Sequence, residues 1–254
     1  MHAARDLAAA LAESLADLVL PRICAGCGVP GALLCRRCAA AFAVPHLAQP
    51  RRFPPGFPPT VAAAVYAGSV RPAVNAFKEH GRAELARPLG AALALAVAAV
   101  RAGVRAAGPR TPVLLVPLPA TRAALRTRGR DHVGELTRAA VGELRAAGVP
   151  AGSGRLLRRS GRVADSAGLS TGQRRANLAG SFARRPGAAA PPGTLVVLVD
   201  DVVTSGATLT EAAAVLAGAC PADTPVLAAV VAATPRRVAG RPSATPPGRT
   251  AQYR

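Results

Sequence analysis

The sequence predicts an α/β fold, a parallel sheet flanked by helices, preceded by a small four-cysteine module. Three observations predict it. Short apolar runs alternate with helical stretches from residue 61 onward, the pattern of strand–helix–strand units. Leu195–Val199 is a continuous aliphatic run, as expected of a parallel strand buried on both faces. Four of the five cysteines crowd into residues 24–38, in a segment whose texture differs from everything after it.

The elements follow in order. Residues 3–20 read as an amphipathic helix, with Leu7, Leu11, Leu15 and Leu18 on one stripe and Pro21 ending it. Residues 22–50 hold the cysteines. The stretch 51–60, rich in proline, reads as a stiff linker and the domain boundary. The main domain spans 61–234. Within it Val61–Tyr66 is a strand, 70–80 and 82–107 are helices parted by Gly81, and Thr111–Pro117 is a buried strand entering a proline-rich turn. Residues 132–147 are helical, stopped by Gly148 and Pro150. The stretch 151–185 reads as basic loop. After Leu195–Val199 come a polar turn, a helix from about Thr208 to Cys220 and a strand at Pro225–Ala233. Residues 235–254 read as a basic disordered tail.

Composition sets limits. A chain of 254 residues forms one large domain or two unequal ones, at roughly 100–200 residues each. Half the residues are hydrophobic, which excludes disorder throughout. Aromatics are 3% with no Trp, so platforms for stacking bases are few. The 32 basic residues against 13 acidic ones give a formal charge of +19. That charge points to a polyanionic partner, nucleic acid or phosphorylated small molecules. A GC-rich coding sequence also favours Arg over Lys, but it accounts less easily for the shortage of acids. The longest apolar run, Leu89–Val100, is shorter than the about 20 residues of a membrane span. Asp6, Glu13 and Asp17 interrupt the N-terminal apolar stretch, so no signal peptide is expected and the expected location is cytoplasmic.

The cysteines form two pairs, Cys24-x2-Cys27 and Cys35-x2-Cys38. In a reducing compartment such pairs point to metal before disulfide. Four thiolates complete a tetrahedral zinc shell with no open position, so the expected zinc is structural. A redox pair is the rival. Cys220 is expected to be buried packing.

The most informative segment is Leu195–Leu209. A strand ends in Asp200 and Asp201, and a loop of Thr204, Ser205, Gly206, Ala207 and Thr208 runs into a helix. Ligands of open α/β sheets bind at the carboxyl ends of strands. Loop N–H groups backed by a helix N-terminus cradle a phosphate, hydroxyls add donors, and a glycine admits close backbone approach. Two carboxylates beside a phosphate make sense if they accept hydrogen bonds from sugar hydroxyls or steer Mg²⁺. The implied ligand is a sugar phosphate. The plainer alternative is a strand–turn–helix with solvent-facing acids.

This segment resembles the binding motif for 5-phosphoribosyl 1-diphosphate (PRPP) in type I phosphoribosyltransferases. The resemblance implies that fold, with Asp200 and Asp201 on the ribose hydroxyls, the loop Thr204–Thr208 on the 5-phosphate, and Mg²⁺ as cofactor. Enzymes that salvage 6-oxopurines carry an Asp where Thr204 stands, so a hypoxanthine or guanine enzyme is not implied. Other stretches narrow the likeness: Tyr66-Ala67-Gly68, Phe77–Arg82, Val113–Arg130, Gly168-Leu169-Ser170 and Arg174–Phe182, all after the four cysteines. Their order, over about residues 22–234, resembles the ComF/GntX family, phosphoribosyltransferase-like proteins linked to natural competence. The resemblance places Pro117, Leu118 and Pro119 near the diphosphate, with Arg122, Arg126 and Arg128 as neutralising candidates. It implies a homodimer and a role in DNA uptake or nucleotide metabolism. Two departures stand out. The family commonly reads Arg-Gly-Phe-Asn-Gln where this chain has Arg128-Gly129-Arg130-Asp131-His132, and it has Gln where Ser166 stands. The acceptor substrate is therefore not carried over, and no general base is assigned. His132 is expected as a surface or capping residue, or else a titratable group near the site. A second function class keeps the fold as a non-catalytic scaffold or sensor that binds nucleic acid.

Overall fold

A computed structural model describes residues 22–50, 54–105, 107–160, 180–221 and 224–235. The expected helix at 3–20, the tail beyond 235 and the motif residues between 161 and 179 lie outside these.

The fold is mixed α/β with a mostly parallel central sheet flanked by helices. In chain order the strands are β1 (His46–Leu47), β2 (Thr60–Val65), β3 (Val113–Pro117), β4 (Ala151–Ser153), β5 (Leu157–Arg159), β6 (Phe182–Arg184), β7 (Leu195–Val203) and β8 (Val226–Ala233). The helices are α1 (Arg36–Ala40), α2 (Val70–Glu79), α3 (Ala86–Ala102), α4 (Arg122–Arg128), α5 (His132–Ala146) and α6 (Ala207–Ala217), with a 3₁₀ turn at Ala83–Leu85. The main sheet runs β1-β2-β8-β7-β3-β4. All its pairings are parallel except β1 on β2, and β5 and β6 form a separate antiparallel ribbon.

The aliphatic run of β7 explains its place. Val197 and Val199 face a core with α2, α3 and α5, while Val196 and Leu198 face a second core with α6 and the ribbon. Alternation along one central strand thus serves two cores. Helix α3, with the 3₁₀ turn before it, is long and apolar enough to cross a membrane by length and composition. In this fold Leu89, Leu93 and Val97 of α3 are buried in the first core, and Gly90 lies against Ala139 of α5.

Two expectations are corrected. The strand of the acidic pair does not end in Asp200 and Asp201 but continues to Val203, with β8 beside it. The stretch 151–185 holds β4, β5 and β6, each of three residues, too short to show periodicity. The segment after Pro119 forms α4, capped by Thr121 Oγ1, which accepts from Ala124 N–H at 3.0 Å, and closed by Gly129 at φ 67°.

The cysteine segment and the main domain share structure. Strand β1 adds to the sheet edge, Phe42 joins the first core, and Leu33 and Leu34 pack against it. Phe57, from the stretch expected as a linker, packs against Gly206 of the main domain.

Candidate functional site

Strand β3 connects onward to β4 on one side, and β7 connects to β8 on the other. Their adjacent carboxyl ends are therefore the topological switch point, where open sheets leave a crevice. A cleft of about 490 Å³ opens there. Of the residues singled out from sequence, Asp200, Asp201, Thr204, Thr208, Leu118, Pro119 and Arg128 line it. Ser205, Gly206 and Ala207 complete the turn without lining the cleft. Pro117 lines a separate pocket of about 110 Å³ with Arg138 and Arg155. Arg122 and Arg126 are exposed on α4, outside the cleft.

Gly206 caps α6 at φ 78°, a left-handed conformation that suits glycine. A Cβ there would sit 2.8 Å from the Phe57 ring and 3.2 Å from Pro50, so the close approach that Gly206 permits is to Phe57 and Pro50. Thr204 and Thr208 flank the turn and line the cleft.

Because the strand continues through it, the acidic pair splits. Consecutive strand residues point to opposite faces. Asp201 is buried, 3% exposed. Its Oδ2 receives Lys78 Nζ at 2.9 Å and lies 3.0 Å from His132 Nε2, and its Oδ1 accepts from Val202 N–H at 2.7 Å. Burial disfavours its charge, but the hydrogen bond from His132 and the Lys78 ammonium outweigh that and hold it well below the usual carboxylate range. Burial likewise opposes the Lys78 charge, yet Asp201 raises Lys78 above the ordinary lysine value. Asp200 is half-buried and accepts the Asp201 N–H at 2.9 Å. Burial and the neighbouring Asp201 charge push its carboxyl up to about 8. One acid is thus paired within the protein, and the other makes no ion pair among the described residues.

Sequence reasoning assigns no site role to two groups here, Lys78 and Arg159. Of the two places expected for His132, the structure shows the one near the site: it is 5% exposed and bonded to Asp201, while Asp131 caps α5 by accepting from Gly134 N–H at 3.1 Å. Arg159 lines the cleft from β5, its Nε–H donating to Pro119 O at 2.9 Å and its guanidinium 4.2 Å over the Phe182 ring. Burial lowers its pKa, with Asp200 pulling the other way. No sequence period marks a residue on a three-residue strand. Arg128, by contrast, is already paired, giving two hydrogen bonds to Glu79 at 2.9 and 3.0 Å.

The four cysteines of the N-terminal segment lie together. Their sulfurs all fall within 4.8 Å of one another, and Cys27 and Cys35 Sγ are 3.7 Å apart. Tetrahedral Zn–S bonds of 2.3 Å set S···S at about 3.8 Å, so the cluster is compatible with a structural zinc site. Gly26 makes the knuckle possible, since a Cβ there would lie 2.8 Å from Cys38 Sγ. Burial opposes ionisation of Cys24, but N–H groups of Cys35, Cys27 and Gly26 bring it down to about 6. Burial pushes Cys38 up to about 12. Cys38 becomes a thiolate at neutral pH only beside a cation. Cys220 is half-buried, and burial raises its thiol.

A scan against protein-family models finds no match, and no curated protein matches the chain.

Proposed function

We propose that this chain binds PRPP with Mg²⁺ in the β3/β7 cleft, on a phosphoribosyltransferase-type fold steadied by zinc at Cys24, Cys27, Cys35 and Cys38. The carrying observation is the Thr204–Thr208 turn, which enters α6 at the switch point beside an uncompensated carboxyl, Asp200. The 5-phosphate takes the Thr204 and Thr208 hydroxyls, the turn residues that line the cleft, with the α6 N-terminus behind them. Asp200 accepts from the ribose hydroxyls. Those donors compensate its charge, so binding below pH 8 releases its proton. Both oxygens of Asp201 are engaged, which makes it a positioning residue that fixes Lys78 and His132 at the cleft wall.

Mg²⁺ fits the donor set through Asp200, the carboxyl left unpaired, and when bound would neutralise the diphosphate. The transfer forms a bond from an acceptor to ribose C1 and breaks the bond from C1 to diphosphate, which leaves with its electron pair. The chain contributes alignment and charge stabilisation to that step. Calorimetric titration of PRPP, with and without Mg²⁺, tests the proposal on wild type, Asp200→Asn and Thr208→Val. Mg²⁺-dependent binding weakened about tenfold or more by either substitution is expected. No binding to the folded, zinc-loaded wild type overturns it.

A second reading has one observation of its own. Arg122 and Arg126 are exposed on α4, and among the described residues neither has an ion-pair partner. They suit a nucleic-acid backbone, and the fold would then be a DNA-binding scaffold. A double Arg122→Gln, Arg126→Gln variant would lose salt-dependent DNA binding while keeping PRPP binding.

A further inference from the structure

Resting on the PRPP-site reading, we infer that Arg159 holds a second anionic group of the ligand, so that the cleft selects a sugar charged at both ends over a sugar monophosphate. The other arginines nearby are committed or misplaced. Arg128 is engaged by Glu79, and Arg130 by Glu135 and the Phe77 carbonyl. Arg155 is engaged by Asp131, and Arg122 and Arg126 lie outside the cleft. Arg159 differs from all of these. Its Nε–H is taken by Pro119 O and its plane lies on the Phe182 ring, which fixes the guanidinium at two points. Among the described residues its Nη groups have no hydrogen-bond partner, and no carboxylate oxygen comes within 4.0 Å.

A guanidinium fixed through Nε and one face presents its remaining N–H groups as a fork, the geometry that takes a phosphate bidentately. A half-buried guanidinium with no carboxylate in ion-pair contact is a cost that a bound anion lowers. Asp200 acts on that charge from a distance and makes no ion pair with it. Pro119 follows β3 and Thr204 follows β7, and these strands are neighbours. Adjacent strands lie about 4.8 Å apart. A pentose with a charged group at each end spans from the turn to the fork.

The test titrates the full-length, zinc-loaded chain with inorganic pyrophosphate, ribose 5-phosphate and PRPP, for wild type, Arg159→Gln and Arg159→Lys. Losing a charge-assisted, bidentate contact weakens binding about ten- to a hundredfold. Arg159→Gln is expected to show that loss for pyrophosphate and PRPP, with ribose 5-phosphate changed less than about twofold. Arg159→Lys keeps the charge but lacks the fork, so it recovers only part of the pyrophosphate affinity. It also carries the test should Arg159→Gln melt early for want of its ring contact. Pyrophosphate binding unaltered in both variants overturns the inference. So does a wild type that binds ribose 5-phosphate as tightly as PRPP. A wild type that ignores ribose 5-phosphate while its pyrophosphate binding still depends on Arg159 sinks the phosphate-turn reading and leaves the Arg159 assignment standing.

Discussion

Asp200 and Asp201 are chemically identical neighbours, yet replacing each with Asn should shift stability in opposite directions. Asp201→Asn removes the charge that pairs Lys78 at 2.9 Å and meets His132 at 3.0 Å. Breaking a buried pair by removing one partner costs about 3–5 kcal/mol. The Lys78 side chain is 28% exposed, so water recovers part of that and the lower end, ~3 kcal/mol, applies. For a chain of this size that lowers Tm by about 6–12 °C. Asp200→Asn removes a charge the fold resists. With the folded carboxyl at about 8 and the unfolded one near 4, both forms are protonated at low pH and no penalty exists. As pH rises through that window the unfolded chain ionises while the folded one resists, so stability falls, and above 8 the penalty is constant. Taken whole, a shift of that size is ~5 kcal/mol at pH 8, and water at the half-buried carboxyl screens part of it, so the Asn variant should gain ~2–5 kcal/mol at pH 8 and less than ~1 kcal/mol at pH 4.5. Its amide oxygen still accepts the Asp201 N–H. Thermal and urea melts at the two pH values read this directly. A loss of stability in Asp200→Asn, or a gain of equal size at both pH values, refutes the reasoning.

Other outcomes follow from single contacts. Metal analysis should find one zinc per chain, and Cys38→Ser or chelation should lower the melting of the whole chain, because Phe42, Leu33 and Leu34 tie that segment to the main core. A single unchanged melting transition after metal removal argues against a structural metal. Gly206→Ala meets both the left-handed φ of 78° and the Phe57 ring at 2.8 Å, and urea unfolding should show a loss of ~2–3 kcal/mol together with weaker PRPP binding. Gly90→Ala sets two effects against each other. Helix propensity favours Ala by ~1 kcal/mol, but the new Cβ would lie 2.3 Å from that of Ala139, far inside contact distance. Overpacking, ~1–3 kcal/mol, should win, so the variant melts lower than wild type.

Much of the fold was legible because its signals are long and regular. The Val197/Val199 and Val196/Leu198 alternation is continuous, and α2, α3 and α5 carry full helical periods, so their expected limits fall within a few residues except at the ends of α3. What escaped is short or relational. The ribbon of β5 and β6 has three residues in each strand, and no pattern fits in three positions. Helix α4 carries arginine and alanine without a buried side and holds its place by caps. The site was legible where it is local, in the Thr204–Thr208 turn. It was not legible where it depends on partners 40 and 123 positions away, as with Arg159 on Pro119 and Lys78 on Asp201. A strand expected to end in the acidic pair also conceals the divergence of the two acids, because only a strand that continues past them sends neighbours to opposite faces.

That divergence accounts for the one lysine in a chain with 32 basic residues. Coding bias can make arginine the default cation, but it gives no reason for a lysine at position 78. The geometry does. Asp201 is reached from α2 and from the first residue of α5, so its Oδ2 must accept from Lys78 and His132 together. A compact ammonium with three rotatable donors meets one oxygen end-on and leaves room for the imidazole. A planar guanidinium seeks both carboxylate oxygens, and Oδ1 is already held by the Val202 N–H. The cleft therefore needs a point charge at Lys78, where the partner is a crowded internal carboxylate, and a fork at Arg159, whose Nη groups have no partner among the described residues. Two cations of equal charge are divided between holding the site together and receiving the ligand by the shape of their donor groups.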